Sequence, residues 1–475
     1  MIPLCPGYLK DLNERCFDMI KFGTDGWRAE IAGEFTFENV KKAAQAFSDH
    51  FAGADGPVVI GFDNRFRSED FAAAAANVVA ANGFQVYLSR SSCPTPAVSF
   101  HVRDKKACAG IMITASHNPA VWNGFKVKGP YAGSADETIT KSIEKLVGKN
   151  TVKESAPHGK IEIFDPKEKY IRSVSGLVDI KAIMALDRKI LINPMFGSGA
   201  GYFTAALEGH RSISEVNAVR DPYFGGVNPE PIPVNLKDFM SLCAREHAMG
   251  IVLDGDADRI GAVSSKGTYI NTHQIFALLL HHLVKNKKWP GAVVKTFNMS
   301  RLIDMMTDKY GIKLFETPIG FKYICDLMRE KDILMGGEES GGMGIKNHIP
   351  ERDSLLAGLM LIEMVAVEKK PLEDVLDDIS AEFTRFYYDR IDLKVDYMDK
   401  DRMKKRLAQE QPASFFGLAV KEVKALDGYK FMLDDGSWIL FRLSGTEPLL
   451  RIYCESGSQE RVASLLSEGK TWIKG

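Results

Sequence analysis

From Val58 onward, short apolar runs take turns with one-sided apolar stripes, the pattern of strands alternating with helices. The first series predicts a strand over 58–62, a helix over 71–82 stopped by Gly83, a strand over 84–88, a short helix near 97–102 and a strand over 108–113. An earlier helix over 37–51 carries Val40, Ala43, Ala44, Phe47 and Phe51 on one stripe and ends at Gly53, so it should pack on the same sheet. The same order returns twice. The second copy runs strand 189–193, helix near 201–207, strand 213–219, helix 236–247 and strand 250–253. The third runs strand 292–295, helix 300–310, strand 312–316, helix 321–330 and strand 333–335, then a long apolar helix near 355–367. What repeats is the layout, since identity between copies is slight.

Such alternation makes mostly parallel, doubly wound sheets, whose ligands gather beyond the carboxyl ends of the strands. In each copy the third strand runs into the most unusual loop of its unit, over 114–126, 254–259 and 336–342. Three loops at equivalent places in three similar units can line one shared cleft. From about residue 383 the pattern becomes α+β, with strands over 431–433 and 437–441 flanking Asp434-Asp435-Gly436 as a hairpin and a closing helix over 459–473. The expected fold is three similar doubly wound mixed α/β domains plus a C-terminal α+β domain around a central cleft. The expected divisions are 1–160, 161–268, 269–382 and 383–475.

A chain of 475 residues exceeds one core, since domains usually run about 100–200 residues, which agrees with several units. An apolar fraction of 45% beside a charged fraction of 26% fits a folded globular protein rather than a disordered chain. The longest apolar runs, 275–280 and 355–362, fall far short of the roughly 20 residues of a membrane span. With 61 basic and 62 acidic residues the net charge is -1, so no broad positive field draws nucleic acid and an anionic partner must be met locally. Residues 1–20 carry scattered acidic groups and no secretory pattern, which makes the cytoplasm the expected location. The 7 cysteines are odd in number, widely spaced and without a CxxC pair, against zinc or redox work. No heptad specifies an oligomeric state.

The candidate chemistry lies in the loops. Asp254-Gly255-Asp256-Ala257-Asp258-Arg259 sets three carboxylates between small residues directly after a strand. Carboxylates so clustered repel one another unless a cation neutralises them, and hard oxygen ligands suit Mg²⁺. An EF-hand is excluded because position 265 is Ser rather than Glu and a strand precedes the loop. In Thr114-Ala115-Ser116-His117-Asn118-Pro119, a hydroxyl sits beside His, with Asn123-Gly124-Phe125-Lys126 just after. Serine needs a base, a metal or a prior phosphoryl group to become a useful nucleophile, and no GxSxG elbow marks a hydrolase triad. On its own the segment reads equally as a capping turn. Gly336-Gly337-Glu338-Glu339-Ser340-Gly341-Gly342 places carboxylates and a hydroxyl among glycines, suited to sugar hydroxyls but also to a plain acidic turn. Arg442-Leu443-Ser444-Gly445-Thr446-Glu447-Pro448 joins two strands as a small anion nest, or as a polar turn, and lacks the spacing and Lys of a P-loop.

Together these four loops, in this order and with Phe22-Gly23-Thr24-Asp25-Gly26-Trp27-Arg28 ahead of them, resemble the α-D-phosphohexomutase superfamily. The resemblance implies four domains around a deep cleft, each giving one loop: phosphoserine, metal, sugar and phosphate. It implies that Ser116 is the phosphoryl donor and acceptor, and that its phosphate joins Asp254, Asp256 and Asp258 in holding one Mg²⁺. His117 and Asn118 support that loop, Arg28 and Lys126 stand beside the transferring phosphoryl, and Lys126 is the candidate general acid or base. Glu338 and Ser340 grip the sugar hydroxyls with Arg259 close by. Arg442, Ser444, Gly445 and Thr446 hold the nonreacting phosphate, and Lys295 and Lys322 line the cleft. The implied reaction gives a hexose 1,6-bisphosphate, which also serves as activator, turns end for end and returns the other phosphate to Ser116. Many bacterial relatives that accept mannose or process glucosamine carry His where Gly342 stands here, while Glu338-Glu339-Ser340 and Thr317-Pro318-Ile319-Gly320-Phe321-Lys322 resemble phosphoglucomutases. Glucose phosphates are therefore the first expectation, mannose phosphates the second and glucosamine phosphate the third. A sugar-phosphate phosphatase and a non-catalytic sugar-phosphate sensor are the rivals from other classes.

Overall fold

A computed structural model describes residues 20–23, 25–154, 159–395, 397–443 and 449–474. The first sheet holds β1 (Trp27–Glu30), β2 (Val58–Phe62), β3 (Val86–Ser89), β4 (Ala109–Ile113), β5 (Trp122–Lys128) and β6 (Ile161–Phe164), in the order β1-β5-β4-β2-β3-β6. The two-residue period of β2 decides its packing. Val58, Ile60 and Phe62 face the helices Phe37–His50 and Ser68–Ala81, whereas Val59 faces the helix Thr95–Asp104 on the other side. Thr36 caps the first of these helices by accepting from the Asn39 N–H, a contact worth about 1 kcal/mol. Because β6 pairs in parallel with β3, the first sheet runs past the division expected at residue 160.

The second sheet joins β7 (Ile190–Asn193), β8 (Ile213–Glu215), β9 (Met249–Leu253), β10 (Ile260–Val263) and β11 (Tyr269–Ile270), in the order β11-β10-β9-β7-β8. The third joins β12 (Ala292–Thr296), β13 (Leu314–Thr317), β14 (Ile333–Gly337) and β15 (Met343–Ile345), in the order β13-β12-β14-β15. In all three units the strand after the unusual loop folds back antiparallel on the strand before it: β5 on β4, β10 on β9 and β15 on β14. The segment expected as one loop over 114–126 is thus half strand. Lys126 and Lys128 hid it, because both are buried in β5 although their polarity reads as solvent-facing.

The helix Ser354–Glu368 is apolar on all sides, and residues 354–365 are buried. Its side chains belong to one core that continues from the second sheet into the third, so these units share a packed interior. Asp353 caps it by accepting from the Leu356 N–H at 3.0 Å. The last unit is an antiparallel sheet of β16 (Tyr387–Lys394), β17 (Ser414–Phe415), β18 (Leu418–Lys424), β19 (Tyr429–Leu433), β20 (Trp438–Leu443) and β21 (Leu449–Ser456), in the order β16-β21-β20-β19-β18-β17. The expected hairpin is β19–β20, and Gly436 takes the left-handed φ of 85° its turn requires. Helices Tyr397–Gln409 and Gln459–Lys474 accompany the sheet. Among the described residues no helix is long and apolar enough to cross a membrane.

Candidate active site

Ser116 leaves β4 in a left-handed conformation, φ 54°, which a serine adopts only when its surroundings enforce it. Arg65 supplies much of that constraint. Its guanidinium donates to the carbonyls of Ser116 (2.6 Å), Asn118 (2.7 Å), Pro119 (2.8 Å) and Trp122 (3.0 Å). Arg65 is itself fixed by Asp63 at 3.2 Å and by the ring of Phe224 at 4.8 Å. The Ser116 N–H donates to Thr114 Oγ1 at 2.9 Å, and Arg28 Nη1 donates to Asn118 Oδ1 at 2.7 Å. The serine loop is thereby a rigid bracket with one hydroxyl pointed outward.

That hydroxyl meets the second unit. Ser116 Oγ donates to Asp254 Oδ2 at 2.7 Å, with His117 Nδ1 3.5 Å away. Burial pushes the His117 imidazole well below its usual pKa, and the nearby Arg259 and Arg28 add to the shift, so the ring is neutral near pH 7. Gly255 permits the close approach, since a Cβ there would stand 2.5 Å from the Ser116 carbonyl oxygen. Thr95, from the helix on the far face of the first sheet, holds Asp256 twice: its hydroxyl donates to Oδ2 and its N–H to the Asp256 carbonyl at 2.9 Å.

Asp254, Asp256 and Asp258 are all buried, and each offers a carboxylate oxygen within 4.8 Å of the others. Burial and the two neighbouring carboxylates push Asp254 well above the usual carboxylate pKa, the signature of anions crowded without enough positive charge. Asp256 Oδ1 and Asp258 Oδ1 are buried and find no hydrogen-bond donor among the described residues. Unpartnered hard oxygens aimed into one small volume fit a divalent cation such as Mg²⁺.

Cations crowd the other side. Lys126 Nζ lies 2.8 Å from Asp25 Oδ2, 2.8 Å from Asp256 Oδ2 and 3.0 Å from Asp258 Oδ2. Burial opposes its charge, but those three carboxylates outweigh burial and hold its pKa above the usual lysine range, so it carries a proton. Arg352, buried just before the helix Ser354–Glu368, pairs with Asp25, reaches Asp258 at 2.8 Å and lies 3.6 Å from Glu338. One guanidinium thus touches loops from three units. Its stem also occupies the room beside Gly342, where a Cβ would stand 2.2 Å from Arg352 Cδ.

The sugar loop joins the metal loop through backbone. Arg259 and Gly342 form an antiparallel bridge, and the Ile260 N–H donates to the Gly341 carbonyl at 3.0 Å. Glu338 is buried with Arg352 and Arg259 near it; burial raises its pKa, while the two guanidinium groups oppose that shift. Ser340 is half-buried in the same loop. Arg442 ends β20 with its Nε 3.0 Å from Asp427 Oδ1. Ser444, Gly445 and Thr446 lie outside the described residues. Among the described residues, the contacts of Lys295 run to Ser300, Asp304 and Glu316, and those of Lys322 to Glu137 and Tyr323, with no other member of the candidate site.

Sequence reasoning did not single out Asp25, Arg65, Thr95 or Arg352. Asp25 stands inside a motif noted for its Arg. Glu351-Arg352-Asp353, three charges abutting an apolar helix, carries a signal: only the Asp is needed as a cap, which leaves the other two to be explained. Arg65 and Thr95 give no such sign, because their partners are backbone groups and a residue 161 positions away.

The description "Phosphoglucomutase/phosphomannomutase" fits all four parts of the chain in order: alpha/beta/alpha domain I at residues 19–154, domain II at 168–267, domain III at 271–383 and the C-terminal domain at 395–468. A protein named as a probable phosphoglucosamine mutase of Methanothermobacter thermautotrophicus is 31% identical over 449 residues, spanning 93% of this chain and 94% of its own. A phosphoglucomutase/phosphomannomutase of Thermococcus kodakarensis is 29% identical over 459 residues, spanning 94% and 97%. A crystal structure described as a phosphomannomutase from Thermus thermophilus superposes with a TM-score of 0.86 at 35% identity, over 96% of this chain and 99% of that one. The chain belongs to the phosphoglucomutase/phosphomannomutase family of the α-D-phosphohexomutase superfamily, and is an isomerase of that type.

Proposed function

We propose that the chain is a cytoplasmic, Mg²⁺-dependent phosphohexomutase that interconverts hexose 1-phosphate and hexose 6-phosphate, with glucose phosphates as the preferred pair and a hexose 1,6-bisphosphate as intermediate and activator. One observation carries it: a strained serine whose Oγ donates to Asp254 at 2.7 Å, at the meeting point of a triple carboxylate and a triply paired lysine. Asp254, Asp256, Asp258 and the phosphorylated Ser116 would hold Mg²⁺, which would supply positive charge against the transferring phosphoryl group.

The residues divide the remaining work. A sugar hydroxyl attacks the phosphorus of the Ser116 phosphoserine, the Oγ–P bond breaks as the new O–P bond forms, Oγ takes up a proton, and the proton lost by the sugar hydroxyl replaces the one that the donor gives up. Lys126, held protonated by its carboxylates, is the donor. Arg28 steadies Asn118 and so the serine bracket, and neutral His117 supports that loop without competing as a cation. Glu338 and Ser340 grip the sugar hydroxyls beside Arg259, while Arg442, with Ser444, Gly445 and Thr446, holds the nonreacting phosphate. Lys295 and Lys322 are assigned to the cleft by the resemblance alone, their ion pairs running to Asp304 and Glu137. After the bisphosphate reverses, the Ser116 hydroxyl attacks its other phosphorus and the second monophosphate leaves.

The preference for glucose phosphates rests on the resemblance of Glu338-Glu339-Ser340 and Thr317-Pro318-Ile319-Gly320-Phe321-Lys322 to phosphoglucomutases, and on Gly342 standing where many relatives that accept mannose or process glucosamine carry His. A coupled assay on glucose 1-phosphate, mannose 1-phosphate and glucosamine 1-phosphate, with Mg²⁺ and a trace of glucose 1,6-bisphosphate, should give the largest kcat/KM on glucose. Turnover confined to glucosamine would reverse the preference, and net release of inorganic phosphate would make the chain a phosphatase. Mg²⁺ at a hundred times its Kd should add about 2.7 kcal/mol to stability, read as a rise in the thermal midpoint. Asp254→Asn should erase that rise. An equal rise in the variant sinks the metal assignment.

A further inference from the structure

The sugar loop carries two adjacent glutamates that face opposite ways. Glu338 points toward Arg352, whereas both oxygens of Glu339 accept from Arg390 Nη1 of β16, at 3.0 and 3.1 Å. Asp427 makes the corresponding contact from the fourth unit. It sits in the turn between β18 and β19, where its Oδ1 accepts from Arg442 Nε at 3.0 Å and its Oδ2 accepts from the Ile319 N–H at 2.9 Å. Ile319 lies in the segment between β13 and the helix Phe321–Glu330, three residues ahead of Lys322 in the first turn of that helix. Two carboxylate clasps therefore cross the same seam: one holds Arg442, which the proposed function gives to phosphate, and the other holds Glu339, between Glu338 and Ser340 of the sugar loop.

Side-chain exposures of 13% and 32% for Glu339 and Arg390, and 23% and 15% for Asp427 and Arg442, leave both pairs partly open to solvent, which weakens their contribution to stability. What they fix is geometry. Holding a guanidinium at Nε sets the plane of its fork, and bidentate phosphate capture depends on that plane. Tyr453 reinforces the link, since it lies close enough to Glu339, Arg442 and Arg390 to feel all three charges.

We propose that Glu339 and Asp427 are positioning residues that fix Arg442 and the sugar loop in one relative placement, so that the phosphate and the sugar hydroxyls are captured together. This rests on the proposed mutase reading. It predicts that a loosened seam weakens capture of the monophosphate and lets the bisphosphate escape during its reversal, with the phosphoryl transfer itself less affected.

The test uses the full chain with Glu339→Gln, Asp427→Asn, Asp427→Ala, and the exchanged pair Glu339→Arg with Arg390→Glu. Expected are a fall in kcat/KM for glucose 1-phosphate of roughly tenfold to a hundredfold, carried mainly by KM, and more glucose 1,6-bisphosphate released per turnover. Thermal midpoints should stay near wild type, and the exchanged pair should recover part of the loss that Glu339→Gln causes. Unchanged KM and unchanged bisphosphate release in Glu339→Gln and Asp427→Asn overturn the proposal, as does an exchanged pair no better than the single variant. Amide exchange at Ile319 in the ligand-free chain keeps the two ideas separate. If the wild type converts no hexose phosphate, the proposed function fails first; faster exchange at Ile319 in Asp427→Ala then upholds the seam, and unchanged exchange overturns it.

Discussion

Replacing Ser116 by Ala should cut hexose-phosphate interconversion by on the order of 10⁴-fold or more, while sugar-phosphate affinity stays within about tenfold, or 1.4 kcal/mol. The two numbers separate because the hydroxyl is the covalent carrier of the phosphoryl group but one small contact among many for the sugar. Removing Oγ also deprives Asp254 Oδ2 of its donor at 2.7 Å, a loss of about 1–3 kcal/mol for a buried acceptor. The variant should therefore melt slightly lower and bind Mg²⁺ less tightly, without its backbone being relieved of strain: the left-handed φ is imposed by Arg65 and by Thr114, which are untouched. Intact mass should show one phosphoryl group on a fraction of the wild type and none on the Ser116→Ala variant. Residual interconversion within a hundredfold of wild type would falsify phosphoserine chemistry at this position. Full retention of phosphate release from hexose phosphates in the variant would instead favour hydrolysis by water at the triple carboxylate.

Much of the fold could be read from periodicity because its strands and helices obey it. The β2 and β4 strands, each buried throughout, and the capped helix Phe37–His50 appear where the pattern predicts them. The antiparallel return strands do not, and the cause is chemical. β5 buries two lysines because Lys126 meets Asp25, Asp256 and Asp258 and Lys128 meets Glu351 at 2.7 Å, so functional charge overrides the apolar alternation that marks a strand. The strands of the last unit were half hidden for another reason: β16 and β18 are only partly buried, and a half-exposed strand has no long apolar run to announce it.

The same distinction governs the site. That Asp254, Asp256 and Asp258 form one buried cluster was legible, since like charges two residues apart are a conflict visible in one dimension. Arg65, Thr95 and Arg352 resolve conflicts that exist only in three dimensions: carbonyls of a loop turned inward, a carboxylate from another unit, and a knot of four carboxylates drawn from three units. Gly342 shows both sides. Its lack of a side chain is plain in the sequence, but the reason, the Arg352 stem lying across it, is not.

Arg352→Met keeps the stem over Gly342 and removes the charge, so it isolates the electrostatic role. Asp25, Asp258 and Glu338 then lose their shared guanidinium and keep Lys126, with Arg28 at 3.9 Å from Asp25 and Arg259 at 3.8 Å from Asp258 as looser partners, and breaking a buried ion pair from one side costs about 3–5 kcal/mol. The urea midpoint should fall accordingly, and kcat should drop by roughly a hundredfold or more, as when a preorganised donor is lost. Arg352→Lys restores the charge without the planar fork that spans Asp25 and Asp258, and should recover only part of either loss. The acid limb carries an independent sign. Burial works to raise the Asp25 pKa, but Lys126 and Arg352, with smaller help from Lys128 and Arg28, hold it well below the usual value. A carboxylate with a depressed folded pKa contributes stability above its unfolded pKa of about 4 and loses it as pH falls through the folded value. Without Arg352 that folded value rises, the contribution shrinks, and its loss is complete at a higher pH. Acid unfolding followed by circular dichroism should therefore have its midpoint at a higher pH in Arg352→Met than in wild type. A variant as stable as wild type, with an unmoved acid midpoint, would mean that the four carboxylates do not need the Arg352 guanidinium, and that Lys126, Lys128, Arg28 and Arg259 suffice to hold them.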